Sequence, residues 1–155
     1  MEADVSHTVS VDTQAPNAPS VPDLASEDDS GTFTTDNITN RTTGLTISGT
    51  AEANATVDVF AGAVNKGTVA ADGSGNWSLD ISLEDGDNSY SITAAATDAA
   101  GNISDASDIL TIEIDTTAPA GYSAAVDQAG INAANQDAVS ITISDGETGT
   151  LYSYS

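Results

Sequence analysis

The carboxylate side chains are the residues of this sequence whose types and spacing could do chemistry, and the chemistry that they suit is calcium binding. The 155-residue chain has 24 acidic residues against 2 Lys and Arg, and its net charge is −22. Calcium takes about six to eight oxygen ligands from carboxylates, carbonyls and waters. The densest acidic group is EDDSG at residues 27–31, followed by Asp36 and Asn37. Only Arg41 and Lys66 could balance these charges, so the carboxylates repel one another and a divalent cation would relieve the repulsion.

Acidic residues in turns have a second interpretation that needs no metal. Asp and Asn before Gly are common turn formers, and we favour this interpretation for Asp72 and Asp145. For Asp85 and Asp87, an ordinary hairpin turn and metal ligation both remain open. A strongly acidic surface also keeps a secreted or salt-adapted protein soluble, so the charge alone does not separate the two explanations.

The composition argues against catalysis and against several kinds of partner. The single His, His7, precedes the predicted domain and the chain has no Cys, so we expect no Ser-His-Asp triad, zinc site or disulfide. Nothing singles out a pair of carboxylates held in a cleft for glycoside hydrolysis, and we expect no enzymatic activity. The negative charge disfavours nucleic acid and anionic membrane surfaces. We also expect no membrane insertion, because no apolar run reaches the roughly 18 residues of a membrane span.

A repeated motif divides the chain. SVDTQAP at residues 10–16 recurs as EIDTTAP at residues 113–119, and Asp115 minus Asp12 gives a period of 103 residues. One period has the size of one domain. The predicted parts are the end of a preceding repeat or a linker (1–11), a complete domain (12–115), and a linker with the incomplete first strands of a second domain (116–155).

The complete domain alternates apolar and polar residues with a period of two, as β-strands do. WSLDISL at residues 77–83 alternates without a fault, which places Trp77 inward. Turn sequences rich in Asp, Asn and Gly separate the strands. The predicted strands lie near 19–24, 43–49, 55–61, 66–71, 76–83, 88–97 and 107–114. This pattern indicates an all-β fold, an immunoglobulin-like antiparallel β-sandwich of about seven strands that is repeated in tandem.

The strand order gathers the acidic loops at the two ends of the sandwich. We expect one end, where the chain leaves, to collect the connection after the first strand (with Asp28, Asp29, Asp36 and Asn37), the turn with Asp85 and Asp87, and Asp115. We expect the other end, where the chain arrives, to collect Asp12, Glu52, Asn54, Asp98 and Asn102. The linkers TQAP and TTAP are short and contain Pro, which limits how freely neighbouring domains swing.

Five phrases, in the right order and at the right distances, carry a family resemblance. VDTQAP, SEDDSGTFTTDNITN, LTISGTAEANATVDVF, DGSGNWSL and ITAAATDAAGNIS resemble the tandem bacterial immunoglobulin-like repeats of giant RTX-type adhesins and biofilm-associated surface proteins. The match covers residues 10–119, and the tail resembles the start of a second, diverged repeat. The resemblance implies type I secretion, an extracellular location at the cell surface, and a role as an extender that projects a distal adhesive domain.

The resemblance also implies partners and a cofactor. The partners are neighbouring repeats of the same chain, and Ca²⁺ bound at the junctions makes the array rigid. The predicted metal ligands are Asp12, Asp28, Asp29, Asp36, Asn37, Glu52, Asp85, Asp87, Asp98, Asn102 and Asp115.

The alternative function is a ligand-binding module that recognises a glycan or a surface protein. Sugar platforms usually need exposed aromatic side chains, and the alternation turns Trp77 inward. Tyr152 and Tyr154 share one strand parity, which favours a strand face over a ligand platform. Without partner strands, we expect residues 120–155 to be poorly ordered or to pair with another chain through exposed edges.

Overall fold

A computed structural model describes residues 9–31, 33–127, 130, 133–134 and 140–145. The features predicted at His7, Tyr152 and Tyr154 lie outside these residues. The described residues form ten strands and no helix, and the chain divides into two units, Met1–Thr116 and Thr117–Ser155. The strands are β1 (Asp23–Leu24), β2 (Ile38–Thr39), β3 (Thr43–Thr50), β4 (Thr56–Ala61), β5 (Val64–Ala70), β6 (Asn76–Ser82), β7 (Asn88–Thr97), β8 (Leu110–Ile114), β9 (Ser123–Val126) and β10 (Ile141–Ser144).

The first unit is an immunoglobulin-like β-sandwich, which confirms the predicted fold class. One sheet has the strand order β1-β3-β6 and the other has the order β2-β8-β7-β4-β5. Because apolar residues alternate along the strands, each strand turns one row of side chains towards the facing sheet. Trp77 is 4% exposed and lies in the core, as predicted. The most deeply buried apolar core residues are Leu45, Ile47, Val57, Val59, Ile92, Ile112 and Ile114.

Five predicted strands correspond to β3 through β7, and their bounds differ from the observed ones by at most two residues. The first predicted strand, 19–24, was too long, because β1 comprises only Asp23–Leu24. Pro19 and Pro22 lack the N–H group that a strand ladder needs. Ser20 N nevertheless donates to Thr50 O at 2.9 Å, so this segment runs beside β3.

The long connection after β1 contains a strand that the sequence did not predict. β2 is two residues long and pairs parallel with β8, with Ile38 opposite Glu113. The other strand pairs of the described residues are antiparallel. Periodicity needs more residues than β2 has, and the surrounding acidic residues indicate a loop, so the pattern could not reveal this strand.

The last predicted strand, 107–114, begins three residues too early, because β8 starts at Leu110. Upstream of β8, Ser104 N and Ser107 N donate to Ala96 O and Ala94 O. The two serine hydroxyls accept the N–H groups of the same alanines at 2.9 and 3.0 Å. Side-chain oxygens therefore complete the edge of β7 where β8 does not reach.

The second unit contains one described sheet of two antiparallel strands, β9 and β10. Val126 lies opposite Ile141, and Ser123 lies opposite Ser144. Every residue of the two strands is exposed.

Candidate cation-binding ends of the sandwich

The chain reaches and leaves the first unit at opposite ends of β7. At the incoming end, Asn102 Nδ2 donates to Asp12 O at 3.4 Å, in the loop that follows β7. At the outgoing end, Thr116 N donates to Asp87 Oδ1 at 2.7 Å, in the turn that precedes β7. β7 has ten residues, which at about 3.3 Å per residue separate the two contacts by roughly 30 Å. The two ends are therefore the places where the chain enters and leaves this unit.

Asp28, at the outgoing end, is bound on both carboxylate oxygens by protein donors. Its side chain is 3% exposed and forms an ion pair with Arg41 through Oδ1. Thr46 N donates to Oδ2 at 2.7 Å, and Thr39 Oγ1 donates to the backbone oxygen of Asp28 at 2.6 Å. This carboxylate holds the loop against β3, and it has little capacity left for a cation.

Asp29 differs from its neighbour because one of its oxygens has no donor. The residue is 3% exposed, and its Oδ2 accepts Asn37 N at 3.0 Å. Oδ1 is buried and has no hydrogen-bond partner among the described residues. A buried carboxylate oxygen without a partner is costly unless a cation or a donor compensates the charge. Asp29 is therefore the predicted ligand that a bound cation would satisfy best.

The local fold explains why Asp29 is buried in an acidic loop. Ala25 O accepts the N–H groups of both Asp28 and Asp29, which closes a turn after β1. Asn37 has a φ of 60°, in the left-handed region that Asn tolerates better than most residues. The chain then continues into β2, which fixes the loop to β8.

The other acidic residues at the outgoing end are exposed. Asp36 Oδ1 accepts Ile38 N at 3.3 Å, and Asp85 Oδ1 accepts the hydroxyl of Thr42 at 2.8 Å. Asp87 Oδ1 also accepts the Thr116 hydroxyl at 3.1 Å, while Asp115 N donates to Thr39 O at 3.0 Å. The structure thus ties the loop, the turn and the outgoing segment to the same end of the sandwich.

The incoming end brings together the acidic residues that the sequence assigned to it. Asp12, Glu52 and Asp98 line a depression of about 280 Å³ together with Gln14 and neighbouring residues of the incoming segment. Asn102 touches this group through its bond to Asp12 O. The depression is polar, and three of its lining residues carry carboxylates.

Asp98 nevertheless has the hydrogen bonds of an ordinary turn. Its Oδ1 accepts the N–H groups of Ala100 and Asn102, both at 2.8 Å, and its Oδ2 accepts Asn102 Nδ2 at 2.7 Å. The turn DGSGN makes the same backbone bonds to Asp72 Oδ1, from Ser74 and Asn76 at 2.8 and 2.9 Å. The two D-x-x-G-N turns are therefore equivalent, although only Asp98 lies at a predicted metal site.

These hydrogen bonds lower the pKa of both turn carboxyls below the usual value of 3.8. For Asp98 the largest cause is the side-chain hydrogen bond from Asn102, and partial desolvation opposes it by raising the pKa. For Asp72 the largest cause is the backbone hydrogen bond from Asn76, followed by that from Ser74. Both carboxylates are therefore ionised at neutral pH and are held by donors of their own turn.

Within the part of the chain that the structure describes, no three His, Cys, Asp or Glu side chains converge closely enough to hold a metal ion. Calcium also accepts backbone carbonyls, Asn side chains and waters. A calcium site at either end would therefore combine one or two carboxylates with such oxygens. Asp29 at the outgoing end and Asp12 at the incoming end are the carboxylates best placed for it.

Arg41 and Thr39 organise the acidic loop after β1, although the sequence analysis named Arg41 only as a counter-ion and did not single out Thr39. The guanidinium of Arg41 contacts Asp28 and also donates to Glu27 O at 3.1 Å, and Thr39 is 1% exposed. Arg41 is one of only two Lys and Arg residues in the chain, and it follows the densest acidic group, which ends at Gly31, by ten residues. That position was the available signal for an ion pair.

Comparison with protein families agrees with the observed sandwich. The sequence-based family model of the bacterial Ig-like domain matches residues 14–116, which are 103 of the 155 residues. A comparison with curated proteins finds none that matches. Domains of this family are in general structural modules without catalytic activity, and they typically occur in extracellular or surface proteins. No helix in the described residues is long and apolar enough to cross a membrane. With the sandwich fold and a match to about two thirds of its length, this chain belongs to the bacterial Ig-like domain family.

Proposed function

We propose that the first unit is an extender module of a secreted bacterial cell-surface adhesin, and that it projects a distal adhesive domain away from the cell. The observation that carries this proposal is the position of the incoming and outgoing segments at opposite ends of β7, tied by Asn102 and by Asp87. A domain of this kind adds its full length to an array, whereas a domain with both termini at one end adds little. Neighbouring repeats are its partners.

Calcium at the two ends is the second part of the proposal. The buried Oδ1 of Asp29, which has no hydrogen-bond partner among the described residues, supports a cation at the outgoing end. A divalent ion would compensate the charge of this carboxylate. At the incoming end, support comes from the carboxylates of Asp12 and Glu52, which line one depression with Asp98. Bridging the linker to the loops by a shared ion would restrict bending between neighbours.

A melt of the whole chain in EDTA, in Ca²⁺ and in Mg²⁺ tests the calcium part. Trp77 is the only tryptophan and is buried, so its fluorescence reports unfolding of the first unit. Binding to the folded state alone adds about 2.7 kcal/mol at a hundredfold excess over Kd, and a domain of this size gains about 4 °C per kcal/mol. We expect a calcium-specific rise of about 10 °C.

Asp29→Asn should abolish the part of this rise that comes from the outgoing end, because an amide keeps the bond from Asn37 but removes the charge that attracts the cation. Without calcium the variant should melt at or above the temperature of the unmodified chain, since it relieves a buried charge. Asp72→Asn is the matched control and should retain the full calcium response. An equal melting temperature in EDTA and Ca²⁺ for the unmodified chain would refute calcium binding at both ends.

The extender part has its own measurement. Small-angle scattering of the chain should give a larger maximum dimension in Ca²⁺ than in EDTA, and Asp115→Asn should reduce the difference. An unchanged dimension would contradict the stiffening mechanism even if calcium raised the melting temperature. The ligand-binding alternative receives no support from the buried Trp77, since a sugar platform needs an exposed ring.

A further inference from the structure

Two Asp-Gly pairs lie in turns of the first unit, at Asp72-Gly73 and at Asp85-Gly86. This dipeptide is prone to a slow rearrangement of the aspartate backbone, because glycine has no Cβ to hinder attack by its backbone nitrogen on the preceding carboxyl carbon. Both aspartates are exposed to solvent. Sequence and exposure therefore give the two pairs the same reactivity, and the hydrogen bonds of each turn distinguish them.

Asp72 is held by hydrogen bonds of both its side chain and its backbone. Its Oδ1 accepts the N–H groups of Ser74 and Asn76 at 2.8 and 2.9 Å. Its backbone N–H donates to Asn76 O at 2.8 Å, and its backbone oxygen accepts Gly75 N at 2.9 Å. Attack by Gly73 N on this carboxyl group would require several of these bonds to break first.

Asp85 is held more loosely, because its carboxylate has one hydrogen bond among the described residues. That bond comes from the Thr42 hydroxyl, which donates to Oδ1 at 2.8 Å. In the described part of the chain, no backbone–backbone hydrogen bond of a turn or loop has Asp85 or Gly86 as donor or acceptor. A Cβ at Gly86 would meet only the side-chain nitrogen of Asn88, at 3.7 Å, so the glycine is sterically open. Release of one hydroxyl bond therefore frees the Asp85 carboxyl group to approach Gly86 N.

We propose that Asp85 is a site of spontaneous isomerisation in the folded protein, whereas Asp72 is protected by its turn. Gly86 N attacks Asp85 Cγ, so that an N–Cγ bond forms, a Cγ–O bond breaks, and one water leaves with the amide proton. Water then adds to either carbonyl of the resulting five-membered succinimide and breaks one of its two C–N bonds. Cleavage at the backbone carbonyl carbon leaves isoaspartate, in which the main chain passes through Cβ and Cγ. Water is the only reagent, and the mass of the protein is unchanged.

Isomerisation at Asp85 acts on the contact that holds the outgoing segment. Asp87 follows two residues later, and its Oδ1 accepts the N–H and the hydroxyl of Thr116 at 2.7 and 3.1 Å. Isoaspartate adds one carbon to the main chain between β6 and β7, which shifts Asp87 relative to Thr116 and weakens these bonds. The modification needs no calcium, which separates it from the proposed function.

Ageing of the whole chain at neutral pH in EDTA, both folded and in urea, tests the proposal. Chymotryptic digestion places the two aspartates in different peptides, and electron-transfer fragmentation in the mass spectrometer separates isoaspartate from aspartate. In the folded chain, isoaspartate should accumulate about tenfold faster at Asp85 than at Asp72, since Asp72 must release at least one more hydrogen bond to a charged oxygen. In urea the two rates should be alike, because both turns are lost. Equal ratios of the folded rate to the urea rate at the two sites would overturn the proposal.

Asp85→Glu is the matched variant for the mechanical consequence, because it keeps the charge but would have to close a less favourable six-membered ring. Trp77 fluorescence melts of the fresh variant and the fresh unmodified chain should coincide, which establishes that the first unit stays folded. Hydrogen exchange of the Thr116 amide should become faster on ageing in the unmodified chain and should stay constant in Asp85→Glu. Constant exchange at Thr116 while isoaspartate accumulates at Asp85 would refute the effect on the outgoing segment.

Discussion

The ion pair between Arg41 and Asp28 offers a quantitative test of how the acidic loop is held. Arg41→Met keeps the aliphatic stem but leaves a carboxylate that is 3% exposed with Thr46 N as its remaining donor. Removing one partner of a fully buried pair costs about 3 to 5 kcal/mol. Because Arg41 itself is 45% exposed, solvent screens part of the interaction, and we expect a loss of about 2 kcal/mol. The melting temperature should fall by about 8 °C.

The assay is the Trp77 fluorescence melt in EDTA, so that calcium does not compensate the charge. Lys66→Met is the matched control, because it removes the same unit of charge from the other basic residue and should shift the melt by less than about 2 °C. A double-mutant cycle with Asp28→Asn isolates the pair, and we expect a coupling of more than about 1 kcal/mol. An Arg41→Met melt that coincides with the Lys66→Met melt would refute the reasoning, since the pair would then contribute nothing.

Three further changes probe the turns and the edge of β7. Gly75→Ala should cost about 3 kcal/mol, measured by urea unfolding, because φ is 87° and the new Cβ would lie 2.4 Å from Ala51 O. Since the pKa of Asp98 is lowered in the folded state, its contribution is complete above the usual aspartate pKa and is lost as pH falls through the lowered pKa. Between about pH 5 and 2, the urea midpoint should therefore decline less steeply with falling pH in Asp98→Asn than in the unmodified chain. An equally steep decline in the two proteins would contradict this role. Ser107→Ala removes the acceptor of Ala94 N and should lower the free energy of unfolding by about 1 to 2 kcal/mol. Faster hydrogen exchange of the Ala94 amide would show that the loss of stability arises at this bond.

The sequence predicted the core of the fold because alternation is dictated by burial. β3 through β7 are long enough for period two to register, and the inner rows of β3, β4, β6 and β7 supply buried residues of the sandwich. Periodicity did not predict the correct bounds of β1 and β8, where prolines or side-chain hydrogen bonds replace regular pairing between strands. Ser104 and Ser107 bind β7 through hydroxyls, and such bonds leave no alternating pattern to detect.

The sequence predicted which end of the sandwich each acidic loop occupies, but not which carboxylates the fold satisfies with hydrogen bonds. Strand order alone put Asp12 near Asp98 and Asp87 near the outgoing segment, and the structure has both arrangements. The sequence could not distinguish Asp28 from Asp29, because adjacent residues of one type differ only in which donors the fold brings to them. Arg41 and Thr46 donate to Asp28, whereas one oxygen of Asp29 receives no donor from the described residues.

The same distinction separates the turn carboxylates from the loop carboxylates at the ends of the domain. Asp72 and Asp98 receive three or more donors from residues within four positions of themselves, so their turns form whatever the surroundings supply. Asp29 depends on Asn37 from farther along the chain and leaves one oxygen unsatisfied. A carboxylate satisfied by its own turn stabilises the domain without an added ion, whereas the buried Asp29 would be stabilised by the cation that we propose at the outgoing end. Under the proposed function, we therefore expect a change in calcium to act first at the outgoing end.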